Sequence, residues 1–182
     1  MKRYFVIFVA LAAILLGMAF LSGIEFLYHR SQERTVAVSE QARFTLHMGL
    51  ALTASLFTLL VHCIVFTYLL GTGKWVKEVA SAYGMSPDGW PERTKQFKIR
   101  VNRWLLTAMF ITIAATVTGA GAQVEVNSWW TYAHPLLAVA VLFANGWAFK
   151  LEYGIIKENE VVLHSVKEEA DRMKAASDAQ GA

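Results

Sequence analysis

The sequence predicts an all-α integral membrane protein: a four-helix up-down bundle followed by a cytoplasmic amphipathic C-terminal helix. Three observations lead there. Four apolar blocks reach the length of about 20 residues that a helix needs to cross a bilayer. Basic residues gather on alternate connections, and the final segment changes to a periodic apolar stripe. Composition agrees, because 55% of the 182 residues are hydrophobic and 17% are charged, whereas soluble domains hold about 45–50% and ~25%. These values exclude disorder, and a single cysteine, Cys63, excludes a disulfide scaffold.

The four expected spans are residues 4–28, 46–70, 104–122 and 130–149. Each must be helical, since a lone strand in lipid leaves its backbone unpaired. Met1-Lys2-Arg3 before an apolar run also opens signal peptides, whose apolar region is about 7–15 residues long. Here apolarity continues to Tyr28, and Leu21-Ser22-Gly23 lacks the small pair of a cleavage site, so the first span is read as uncleaved.

Charge sets the orientation. Lys2 and Arg3, seven basic residues between Lys74 and Arg103, and five between Lys150 and Lys174 make fourteen on one side. Arg30, Arg34 and Arg43 make three on the other. Both termini are therefore expected in the cytoplasm, in a multi-pass protein of the inner (cytoplasmic) membrane. Anionic headgroups account for the net charge of +3 without nucleic acid. Trp129 and Trp130 mark the outer start of the fourth span, and Trp104 and Trp147 lie near inner ends. The small pairs Ala13/Gly17, Ala19/Gly23 and Ala115/Gly119, each four apart, suit close helix contacts.

Residues 1–150 form the expected bundle unit and 151–182 the tail. In the link, residues 71–103, Gly71 and Gly73 are read as a helix stop, 74–83 as a short helix and 84–91 as a turn cluster. Phe97, Val101 and Trp104 then recur at helical spacing, on a segment expected to lie on the membrane surface. Gly71-Thr72-Gly73-Lys74 lacks P-loop spacing and a hydroxyl residue after the lysine. In the tail, Ile155, Val162, Val166, Ala170 and Met173 form one stripe with Glu, Lys and Asp opposite. That stripe needs a cover: the link, a second copy of the chain, or a membrane-protein partner subunit. No internal repeat is visible.

Ionisable groups within membrane spans are functional hypotheses by default: here Glu25, His29, His47, His62 and His134. Glu25 and His29 share a helix face and, with His47 and His134, fall at the outer leaflet. In one reading His47 and His134, on parallel and diagonally opposed spans, are axial ligands of one b-type haem. That layout resembles the haem-bridging helices of membrane b-type cytochromes and implies electron transfer. His62 lies about 22 Å deeper by helix rise, opposite Asn145, Trp147 and Ala148, which gives no second bis-histidine site. In another reading the Glu25, His29, His47 and His134 group, or His62, holds a single transition-metal ion such as zinc, copper or iron. A third reading is cofactor-free: interfacial histidines, His62 bonded to Thr58 or another helix, Cys63 as a packing residue, and the tail and link as docking surfaces. Neither a hydrolase triad nor a transporter charge ladder is present. The expectation is a subunit or accessory protein of a larger membrane complex, not an enzyme on its own.

Overall fold

A computed structural model describes residues 1–31, 37–124 and 129–180, apart from the side chains of 29–31, 37–40 and 123–124. The apolar blocks fold into four helices, and these extend well past the blocks. They are α1 (Lys2–Ser31), α2 (Ala37–Ala82), α3 (Trp90–Val124) and α4 (Trp130–Gln180). They pack as an up-down bundle, and all four are long and apolar enough to span a membrane. The α1–α2 and α3–α4 hairpins make the broadest contacts. Across the diagonals α2 touches α4, whereas α1 and α3 do not meet among the described residues.

The end of the bundle that carries both termini differs most from expectation. At 1.5 Å per residue, the 46-residue α2 is about 69 Å long and the 51-residue α4 about 77 Å. Gly71 and Gly73 do not stop α2, which continues through both. A Cβ added to Gly73 would sit 3.3 Å from Lys98 Nζ, so this glycine lets α3 approach. The stop comes at Gly84, whose φ of 66° is the left-handed value that glycine adopts without a Cβ penalty. Met85 N–H donates to the Ala80 carbonyl at 2.8 Å and Gly84 N–H to the Ser81 carbonyl at 3.4 Å. That is a Schellman cap, and Met85 and Ala80 make its usual apolar contact.

The link is therefore part of the bundle and does not lie along a membrane surface. Phe97, Val101 and Leu105 on α3 and Val76 on α2 join Ile155, Ile156, Val162 and Val166 of α4 in one buried cluster. The tail stripe thus finds its cover inside the chain, and only Met173 of the expected stripe stays exposed. Arg100 and Glu158 at 2.8 Å, Lys2 and Glu160 at 2.9 Å, and Trp90 Nε1–H donating to Glu169 at 2.7 Å fasten the outside of this seam. One further expectation changes: Cys63 is exposed on the bundle surface and is not a packing residue, while Glu152 lies on the buried side of α4.

At the opposite end the core thins to Leu16, Ala19, Ala54, Ala115 and Val141. Three of these are alanines, and the space beside them is the cleft described below.

Val166 has no exposure and Met173 is 38% exposed, which gives a direct check on the tail. Val166→Asp should cost about 3–5 kcal/mol, the scale of an uncompensated buried charge, whereas Met173→Asp should leave stability unchanged. Thermal melts of the two variants in detergent, followed by helical circular dichroism, measure this difference.

Candidate functional site

Two constellations emerge, one at each level of the bundle. The first is built on the small-residue pairs. His47 of α2 turns toward α1, where its Nδ1–H donates to the Ala19 carbonyl at 3.2 Å and lies 3.1 Å from Ser22 Oγ. Ser22 Oγ–H itself donates to that same carbonyl at 2.9 Å. His134 of α4 repeats the arrangement against α3: Nδ1–H donates to the Ala115 carbonyl at 3.0 Å, to which Thr118 Oγ1–H also donates at 3.0 Å. An accepting carbonyl requires the proton on Nδ1, so Nε2 of each neutral ring keeps its lone pair.

The glycine of each pair makes room for a ring. A Cβ at Gly23 would lie 2.9 Å from His47 Cε1, and one at Gly119 would lie 2.8 Å from His134 Cε1. Ala19-Phe20-Leu21-Ser22-Gly23 and Ala115-Thr116-Val117-Thr118-Gly119 are thus equivalent seats. Each provides an acceptor carbonyl, a hydroxyl bonded to it, and a gap for an imidazole. Sequence reasoning read these pairs only as helix contacts; the recurring alanine, hydroxyl residue and glycine at matching positions was the available signal.

The two rings meet across the diagonal with centroids 6.2 Å apart and planes at 68°. Phe26 stacks on His47 at 6.4 Å. A partly enclosed cleft of about 170 Å³ surrounds them, lined by apolar side chains including Leu16, Phe44 and Leu142, with Thr112 among its few polar groups. At its rim Arg43, one helical turn before His47, places Nε 3.6 Å from Glu25. Arg43 Nη1 is buried with no hydrogen-bond partner.

Of the other expected residues, Glu25 is committed to Arg43, and the side chain of His29 falls outside the described residues. Among the described residues no three His, Cys, Asp or Glu side chains gather as a metal-binding group. His62 lies almost twenty residues beyond Arg43 on α2, about 28 Å by helical rise, and forms the second constellation.

His62 is wholly buried, as are Glu152 and Asn145. Its Nδ1 lies 2.6 Å from Glu152 Oε1 and its Nε2 lies 2.9 Å from Asn145 Oδ1, while Phe149 stacks on the ring at 5.0 Å. The Asn145 amide donates to Thr112 Oγ1 at 3.0 Å and to the Val141 carbonyl at 2.8 Å. His62 thus bonds to another helix and not to Thr58, whose hydroxyl has no partner. One turn pair further along, Asn159 donates to Thr72 at 3.1 Å. Glu152 and Asn159 escaped the sequence reading because they lie beyond the fourth apolar block. Asn145, Glu152, Asn159 and Val166 nevertheless recur every seventh residue, the register of a buried helix seam.

No protein-family model matches the chain, and neither a curated protein nor a solved structure is significantly similar to it.

The seats make a paired expectation. Gly23→Val and Gly119→Val should push out the facing imidazole and cost about 1–3 kcal/mol through overpacking. Gly17→Ala, where a Cβ meets nothing within 4 Å, should be neutral or stabilise by up to about 1 kcal/mol through helix propensity. Comparing the melting temperatures of the three variants tests the assignment.

Proposed function

We propose that this chain is a redox subunit of a larger membrane assembly, holding one b-type haem between His47 and His134. The observation that carries the proposal is the paired geometry of the two imidazoles. An imidazole nitrogen sits about 2.0–2.1 Å from a bound transition metal, so two rings on opposite sides of one ion have centres about 6 Å apart. The observed 6.2 Å matches that separation, and each ring has its Nδ1 occupied by a backbone carbonyl. Such a bond fixes the tautomer and orientation of a ligating histidine and raises its basicity.

The remaining residues fit the same group. The apolar lining supplies a dry, low-dielectric setting for a macrocycle. The free Arg43 Nη1 provides a charged donor at the rim for a carboxylate edge. The cleft is smaller than the about 300–1,000 Å³ of most ligand pockets, so binding would require its lining side chains to move apart. Bound haem supplies one-electron transfer at iron, with a potential set by axial ligands, nearby hydrogen bonds and burial. Here Ala19, Ser22, Ala115 and Thr118 hold the ligand rings, Phe26 excludes water, and Arg43 balances charge. On the charge asymmetry of the loops, this site faces outward and both termini are cytoplasmic.

A reduced-minus-oxidised spectrum of detergent-purified protein, isolated with haem available, tests the proposal. The expected result is a sharp alpha band and shifted Soret peak of a six-coordinate haem. His47→Ala or His134→Ala should abolish it while helical content persists, and Arg43→Gln should weaken haem retention. A flat spectrum from folded wild-type protein refutes the proposal and leaves a cofactor-free structural subunit.

A further inference from the structure

We infer that the buried His62–Glu152 pair is a proton-binding site coupled to the redox state of the cleft, taking up a proton when the cleft gains an electron. This inference rests on the haem reading above and concerns residues that the reading leaves unused. Asn145 donates both amide hydrogens, to Thr112 and to the Val141 carbonyl, so its Oδ1 faces His62 as an acceptor. His62 Nε2 must therefore carry a proton. The 2.6 Å contact between Nδ1 and Glu152 Oε1 needs one more proton, shared between imidazole and carboxyl. In that state the pair is neutral overall.

A second proton has a place to go. Glu152 Oε2 is buried with no hydrogen-bond partner, so the site contains an acceptor oxygen that is free to take it. Protonating Oε2 gives an imidazolium beside a carboxylic acid and changes the charge of the pair from zero to +1. Burial disfavours an isolated charge but favours one that offsets another nearby. An electron arriving in the cleft supplies that opposite charge across about 22 Å of low-dielectric interior, by helix rise from His47 to His62.

The connection to the cleft is continuous. Glu152, His62, Asn145 and Thr112 are joined by successive hydrogen bonds, and Thr112 and Val141 line the cleft itself. The titratable group facing Glu152 from α2 is His62. From α4 come the amide of Asn145 and the ring of Phe149, which touch His62. From α3 comes the hydroxyl of Thr112, through Asn145, and from α1 the uncharged ring of Phe5, against Phe149 and Tyr153.

His47 and His134 would hold the haem, which would take one electron from a one-electron donor while Glu152 Oε2 takes one proton from bulk water. Return of the electron to a one-electron acceptor would release that proton to water.

The test is a redox titration of haem-loaded protein between about pH 5 and 8. Dithionite and ferricyanide set the potential. In the wild type the reduced form should bind the proton roughly fivefold more tightly, a fall of about 40 mV in midpoint as pH rises, at 59 mV per tenfold for one electron. The isosteric Glu152→Gln, which keeps the hydrogen-bonded shape, should have the same haem spectrum and a flat midpoint. Redox-difference infrared spectra should contain a carboxylic-acid band on reduction of the wild type and lack it in Glu152→Gln. Bound haem with the same pH dependence in both proteins, or no such band, overturns this inference alone. Absence of haem from folded wild-type protein overturns it together with the reading on which it rests.

Discussion

A polar side chain inside a bundle this apolar has no water to pair with, so the chain itself must supply every partner. An unpartnered group there costs roughly 2–7 kcal/mol, more than most single contacts contribute. That constraint arranges the interior. Thr72, Thr112 and Thr116 each return a hydroxyl proton to a carbonyl four residues back on their own helix. Ser55 and Thr116 pair across helices at 3.0 Å. His62 is caught between Glu152 and Asn145. Against this background, the described buried side-chain atoms without partners are only Arg43 Nη1, Thr58 Oγ1, Asn102 Oδ1 and Glu152 Oε2. Two of them lie at the cleft rim and on the His62 pair, where an additional charge or ligand would meet them.

Much of the architecture was legible because hydropathy and charge act over long segments. Four apolar blocks specify four helices, and short connections specify their antiparallel order. What hydropathy could not reveal was where the helices end. Gly71 and Gly73 look like a stop by composition, yet they lie within α2, because a helix packed against two neighbours tolerates the about 1 kcal/mol cost of a glycine. The true stop, Gly84, differs only in needing a positive φ. The stripe from Ile155 to Ala170 was readable as apolar, but its cover was not. Phe97 and Val101 lie more than fifty residues earlier and were placed on a lipid surface by their own local pattern.

The candidate site was half legible. His47 and His134 stand out as costly residues in apolar blocks, and their diagonal placement follows from the up-down order. The carbonyls that hold them do not announce themselves, since any residue has one. What singles out Ala19 and Ala115 is the glycine four residues on, which leaves a gap for the ring. Glu152 was hidden for the opposite reason. A glutamate just past an apolar block reads as solvated, and its burial follows only from the continuation of α4 in the same register.

That continuation has a mechanical side. Within the described residues α4 runs from the cleft to Gln180 as one helix, and its one proline, Pro135, lies at the cleft end beside His134. Past that proline α4 curves at most gently, because sharp kinks fall mainly at proline and at breaks in the hydrogen-bond ladder. Beyond Pro135 the same helix passes from Val141 in the cleft lining, past Glu152, to the far tip, where Ala170 packs against Ala80 and Met85. One continuous element thus ties the cleft lining to a cap about 44 Å away by helical rise from Val141 to Ala170.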